Sequence, residues 1–289
     1  MKKKNIVISS LIFVIIVLSA VIICDVSQKK TLKNIITNQR QNIEFLKKLK
    51  VENEDYSEKL RYNEDYLNYL KKINPFVIHQ AINIDDEHSK KEEIEIFEPF
   101  GLKLRLCNKR PQKDANTHLC IAAAFTSPET TIEGLFIVDG KKINSKIDKK
   151  RTGACIISNK NKSIDIITYS EITDELLNQV QEKQQSFFQQ EILVKNFEII
   201  PCKLFEDRIT KWRALIKFDG YFAIGQSRNV ISILEFQKSL IDIGAIDAIY
   251  LDMGTWSEGW YKDAIKGFVT IGDSKTSTHR QTNWITYER

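Results

Sequence analysis

The run Ala248-Ile-Tyr-Leu-Asp252 is apolar until it ends on a carboxylate, and it opens into the polar, glycine-containing stretch Met253-Gly-Thr-Trp-Ser-Glu-Gly-Trp260. A buried strand that stops at an Asp holds an acid at the edge of a sheet, where ligands tend to bind. The alternative is an Asp that caps a turn and does no chemistry. Other chemistries find little footing. There is no G-x-S-x-G elbow, no H-E-x-x-H, no phosphate loop and no dinucleotide fingerprint. The four histidines, His79, His88, His118 and His279, have no ligand-like spacing and read as surface residues. The five cysteines, Cys24, Cys107, Cys120, Cys155 and Cys202, include no C-x-x-C pair, so neither a zinc site nor a redox motif is expected. Cys107 and Cys120 could close a short loop in an oxidising compartment, with buried free thiols as the alternative.

The elements that would position Asp252 follow from periodicity. Ser232 to Ile243, with Ile233, Leu234, Phe236, Leu240, Ile241 and Ile243, predicts an amphipathic helix, and Gly244 stops it just before the Asp252 strand. Short runs rich in β-branched residues predict strands at 94–97, 102–106, 119–125, 135–138, 154–158, 164–168, 192–195, 212–218 and 221–224. Leu176, Leu177 and Val180 predict a further helix over 171–187. With 289 residues, 42% of them hydrophobic, the chain can bury a real core. Its net charge of +5 comes from 43 basic and 38 acidic residues mixed along the length. That pattern lacks the clustered basic stripe of a nucleic-acid binder, so no nucleic-acid partner is expected.

The N-terminus has a different character. Lys2, Lys3 and Lys4 precede an uncharged apolar run from Ile6 to Cys24, long enough for a membrane-spanning helix with the lysines on the cytoplasmic side. A cleaved signal peptide and a lipoprotein at Cys24 are the alternatives; the absence of a small-x-small cleavage site and the bulky Ile23 favour a retained anchor. From Gln28 to Asn74 there is neither Gly nor Pro. A heptad frame puts Leu32, Leu46, Leu60 and Leu67 at a and Ile35, Leu49, Tyr56 and Leu70 at d. Gln39, Asn42, Asn53 and Asn63 interrupt that seam, so the stalk is either a coiled coil that brings copies of the chain together or a single amphipathic helix. Asn74-Pro75 ends it. The expected organisation is an anchor at 1–27, a helical stalk at 28–74 and a globular domain at 75–289. The expected location is a bacterial cell envelope, with the domain on the exported side and the bilayer engaged through residues 6–24.

Several segments of the globular part resemble the phosphodiester glycosidase family. Ala122-Ala-Ala-Phe125 followed by Ile132-Glu-Gly-Leu-Phe-Ile-Val-Asp-Gly140 is similar to the family's first signature, and Phe188-Gln-Gln-Glu-Ile-Leu-Val194 to a later one. Trp212-Arg-Ala-Leu-Ile216, Asp219-Gly220 and Ser227 resemble the segment carrying an arginine, a turn and a serine. Gly244 to Asp252 is similar to the strand that delivers the family's aspartate, and Thr282-Asn-Trp-Ile285 to a C-terminal strand. Two places depart from the pattern: Ala122-Ala-Ala124 stands where Asn-Gly-Gly is common, and the turn after Asp252 carries Trp256 and Trp260.

The resemblance implies an α+β chain, in which the anchor and stalk lead into a mixed α/β glycosidase-like domain. It implies hydrolysis of a sugar-1-phosphodiester with no cofactor or metal. Cleavage at an anomeric carbon passes through an oxocarbenium-like state and needs a carboxylate as nucleophile or base, a role implied for Asp252. Arg213 would stabilise charge on the phosphate, and Glu258 would be a second carboxylate. Asn283 and Gln189 would hydrogen-bond sugar hydroxyls, Ser227 would be a further substrate-binding residue, and Trp256 or Trp260 would stack on a sugar face. Each has a plainer alternative: a salt-bridged strand residue for Arg213, a solvated loop charge for Glu258, core packing for the tryptophans. The two departures favour a rival reading of the whole, a non-catalytic envelope module that binds a glycan phosphate or a protein partner.

Overall fold

Leu102-Lys-Leu-Arg-Leu106 alternates apolar with basic residues, as a strand with one wet face requires, and it forms β3 (Lys103–Cys107) with its leucines buried. The computed structural model describes residues 75–289 apart from 86–90, 161, 255–256, 264–265 and 273–277. The apolar run at 6–24, the stalk at 28–74 and Trp256 lie outside the described residues, which belong to the unit Pro75–Arg289.

Three antiparallel sheets build this unit. The first has seven strands in the order β1 (Phe76–Asp85), β2 (Lys91–Phe100), β14 (Phe222–Ser227), β13 (Arg213–Lys217), β16 (Asp247–Tyr250), β10 (Ile192–Lys195) and β11 (Glu198–Ile199). The second orders β18 (Gly267–Ile271), β17 (Gly259–Asp263), β4 (Thr117–Ala122), β19 (Trp284–Glu288) and β3. In the third, β6 (Lys141–Asn144), β5 (Phe136–Val138), β9 (Ser186–Gln190), β7 (Gly153–Ser158) and β8 (Ser163–Thr168) lie side by side. A two-stranded ribbon, β12 (Ile209–Thr210) with β15 (Ile231–Ser232), completes the set.

One core joins all three sheets. Phe97, Leu215, Ile224 and Ile249 of the first sheet meet Leu104, Leu119, Ile121 and Tyr287 of the second and Phe136, Cys155 and Phe188 of the third. Gly153 is required at the closest approach, because a Cβ there would lie 2.2 Å from the Ile167 carbonyl oxygen and 2.4 Å from Ile192 Cδ1. Two helices cover outer faces. Leu177 and Val180 of α1 (Asp174–Glu182) pack on Ile137, Ala154 and Phe187, and Phe236 and Leu240 of α2 (Ile233–Asp242) pack on Leu193, Ala214 and Tyr250.

The expected mixed α/β domain is corrected by this architecture. Among the described residues every strand pairing is antiparallel, strands far outweigh the two α-helices, and no helix is long and apolar enough to cross a membrane. The helix expected at 171–187 shows why. It stops at Glu182, the chain reverses through Gln184 at φ 52°, and Ser186–Gln190 becomes a strand buried on both faces. Apolar residues buried on both faces carry no period that separates strand from helix. A disulfide between Cys107 and Cys120 is also absent. Strand β19 lies between their strands, which sets the backbones roughly 9–10 Å apart, beyond the reach of an S–S bridge, and all four described thiols are free.

Candidate functional site

Asp252 is delivered by a chain of local devices. Ser232 caps α2 by accepting from Glu235 N–H, while the Glu235 carboxylate accepts from Ser232 N–H at 2.7 Å. At the other end Gly244, at φ +91°, donates to Ile241 O and Ala245 N–H donates to Leu240 O, the double bond of a Schellman turn. The chain then runs through β16. Leu251 N–H donates to Arg213 O of the neighbouring strand, and Asp252 N–H donates to Ala123 O at 2.9 Å, beyond the end of β4. Asp252 thus sits where the first sheet hands over to the second.

It lines a cleft of about 320 Å³ with Gly254, Phe125, Thr126 and Glu133. Arg151, Leu204 and Arg208 complete the walls. Behind this surface Phe125, Phe205 and Tyr250 form an aromatic cluster, with centroids 4.6 Å apart for Phe205 and Tyr250 and 5.5 Å for Phe125 and Tyr250. Burial is the main cause that pushes the Asp252 carboxyl up to about 6; the Gly254 N–H donated to Oδ1 at 2.9 Å and the charge of Arg213 act against it.

The two arginines of the cleft are in opposite states. Arg151 is almost enclosed, lies 4.5 Å over the Phe125 ring, and is paired with Glu133 at 2.8 Å, Asp148 at 3.0 Å and Glu191 at 3.1 Å. Three carboxylates around one guanidinium leave that corner with no positive charge to offer. Arg208 is exposed, stands 5.7 Å over Phe205, and makes no ion pair among the described residues. It is the cation of this cleft that is available to an anion.

Of the residues singled out in the sequence, Asp252 lines the cleft and the others that are described do not. Arg213 is fully buried on the inner side of β13, donating to Gln226 Oε1 from Nε at 3.0 Å and Nη2 at 2.6 Å and to Ser257 O from Nη1 at 3.3 Å. Its influence on Asp252 is by charge, without contact. Asn283 is buried under the loop that follows β4: Ala124 N–H donates to its Oδ1 at 2.6 Å, and its Nδ2 donates to Ala124 O and Thr126 Oγ1. Gln189 performs a similar service on another wall, accepting from Leu135 N–H and Asp148 N–H and donating to Asp148 O. Ser227 Oγ accepts from Trp212 N–H at 2.8 Å. Glu258 pairs with Arg110 at 3.0 Å, and Trp260 is buried edge-on against Phe268 on the outer face of the second sheet. Of these, Asn283 and Gln189 hold from behind the segments that carry Phe125, Thr126 and the Asp148 partner of Arg151.

Glu133, Phe125, Arg151 and Arg208 were not singled out by sequence reasoning. Phe125 and Glu133 stand inside segments that drew attention for other residues, whereas Arg151 and Arg208 lie in polar loops among other charges and give no local signal.

No family model matches the chain, and no curated protein matches it. Solved structures do. The catalytic domain of zebrafish N-acetylglucosamine-1-phosphodiester alpha-N-acetylglucosaminidase, auto-inhibited by its pro-peptide, is similar with a TM-score of 0.53 at 13% identity, over 79% of this chain and 94% of that one. A hypothetical protein from Synechocystis gives 0.49 at 11% identity, over 74% and 62%, and carries no argument. At such identities the likeness concerns the fold: the chain shares, at a distance, the fold of a phosphodiester glycosidase catalytic domain.

Proposed function

We propose that this chain hydrolyses a glycosyl phosphodiester in the bacterial cell envelope, with Asp252 at the anomeric carbon and Arg208 at the phosphate. The observation that carries the reading is the pairing, in one open cleft, of a desolvated carboxyl raised to about 6 with an exposed guanidinium that makes no ion pair among the described residues. Above that pH Asp252 is ionised and can attack the anomeric carbon or take a proton from water as the bond to the phosphate oxygen breaks. The electron pair leaves on a phosphate ester, a good leaving group, so the protein need supply only charge stabilisation, which Arg208 offers as a planar donor fork. Glu133, held by Arg151, is the cleft's second carboxylate.

The test is release of free sugar from a panel of sugar-1-phosphodiesters by the full-length protein. Asp252→Asn is expected to lower kcat by about a thousandfold or more, and Arg208→Ala to raise KM and lower kcat by roughly tenfold to a hundredfold. Absence of turnover with retained binding of a glycan phosphate would replace this reading by that of a non-catalytic binding module.

A further inference from the structure

Around the open end of the cleft lies apolar surface that the chemistry above does not use. Leu204, itself a wall of the cleft, is 45% exposed. Arg208 N–H donates to Phe205 O at 2.9 Å, closing a turn whose two arms carry Leu204 and Ile209. Ile209 is 71% exposed and is the first residue of β12. It pairs with Ser232 of β15, so Val230, two residues before Ser232 and 59% exposed, stands diagonally beside it on the same face of the ribbon. Leu234, 48% exposed, follows at the start of α2. From the cleft outward the exposed Arg208 guanidinium is thus followed by exposed aliphatic side chains at Leu204, Ile209 and Val230, with Leu234 further along the chain.

We propose that this strip binds an alkyl or isoprenyl chain esterified to the phosphate, so that the substrate is a lipid-linked sugar phosphodiester. The proposal deepens the hydrolase reading and rests on its assignment of the phosphate to Arg208. A phosphate at that guanidinium sends its second ester substituent out of the cleft beside Leu204 or Ile209, and only an apolar substituent gains by lying on them. Two other occupants fit less well. Glu206 and Asp207 are exposed in the same turn and would repel an anionic bilayer surface. The four side chains expose far less than the roughly 800 Å² per partner that a stable dimer buries.

The experiment measures the affinity of the full-length protein for methyl, octyl and dodecyl phosphate, below micellar concentrations, by calorimetry. The expected result is a gain of about tenfold or more from methyl to dodecyl, of the size that partial burial of a few methylenes provides. Ile209→Ser with Val230→Ser, both on the exposed face, should remove that gain and leave methyl phosphate unchanged. Arg208→Ala should weaken every probe. Affinity independent of chain length overturns the proposal. So does a gain that survives the double variant, and so does a strip that proves to mediate self-association or vesicle binding without phosphate ligand. Failure to turn over any sugar phosphodiester, with chain-length-dependent binding intact, would remove the hydrolase reading while leaving the lipid phosphate site standing.

Discussion

Ionising a carboxyl with only 8% of its surface exposed carries a penalty in the folded state, and at Asp252 that penalty has a measurable direction. Its pKa rises from 3.8 to about 6 on folding, so the folded chain holds the proton more tightly than the unfolded one. The stabilising contribution of the protonated form is complete below about pH 4 and is lost as pH rises through about 6. Asp252→Asn, which can keep the bond from Gly254 N–H, is therefore expected to be more stable than the parent at pH 8, by up to about 3 kcal/mol, and indistinguishable from it near pH 4. Denaturant midpoints at the two pH values check this. In the proposed reaction the same ionisation would govern catalysis, so kcat/KM should climb through about pH 6 on its acidic limb. A variant that gains stability while losing activity has lost a functional charge, which separates Asp252 from the buried Arg213. Removing Arg213 would strand Gln226 Oε1 and Ser257 O in the interior, and activity lost that way would report unfolding.

Among the elements, the loop 123–126 decides the shape of the cleft. It lies past the end of β4, and the Asn283 side chain serves Ala124 as a neighbouring strand would, accepting its N–H and donating to its carbonyl. Gln281 Nε2 donates to the same carbonyl at 3.3 Å. Asn283→Ala leaves the Ala124 N–H buried and unpaired and should cost about 2–3 kcal/mol in chemical denaturation. It should also loosen Phe125 and Thr126, so that Asp252 loses its wall partners before the fold is lost. An increase in KM larger than the fall in kcat would mark that effect. The resemblance drew attention to Asn283, and the structure gives it a position under the loop. A residue type that suits a sugar hydroxyl also suits a backbone amide, and sequence offers no means of choosing between them.

At the scale of the whole molecule, three sheets share one core, and the thiols are distributed through it. Cys120 and Cys155 are fully buried, and burial pushes every described thiol up, to about 12 for Cys107 and Cys202 and further for the other two. At pH 8 the thiolate fraction is therefore negligible. Native full-length protein treated with iodoacetamide should leave Cys107, Cys120, Cys155 and Cys202 unmodified by mass spectrometry, with all four alkylated after denaturation. Added reductant should leave the unfolding midpoint unchanged. Modification of Cys120 under native conditions would mean that the outer face of the second sheet opens.

The sequence alone determined the local pieces. Alternation in 102–106, the apolar run before Asp252, and the cap and stop of α2 at Ser232 and Gly244 are written in residues a few positions apart, and they reappear in β3, β16 and α2. Strands such as Ser186–Gln190 and Gly259–Asp263 were not legible, because burial on both faces or a polar composition removes the period that would announce them. Only the tertiary structure decided which charged residues share a cleft. Asp252, Glu133, Arg151 and Arg208 come from four separate segments, and nothing local distinguishes Arg208, which makes no ion pair among the described residues, from Arg151, which makes three. Availability of a charge depends on what the fold packs against it, and that is settled by contacts between residues far apart in the chain.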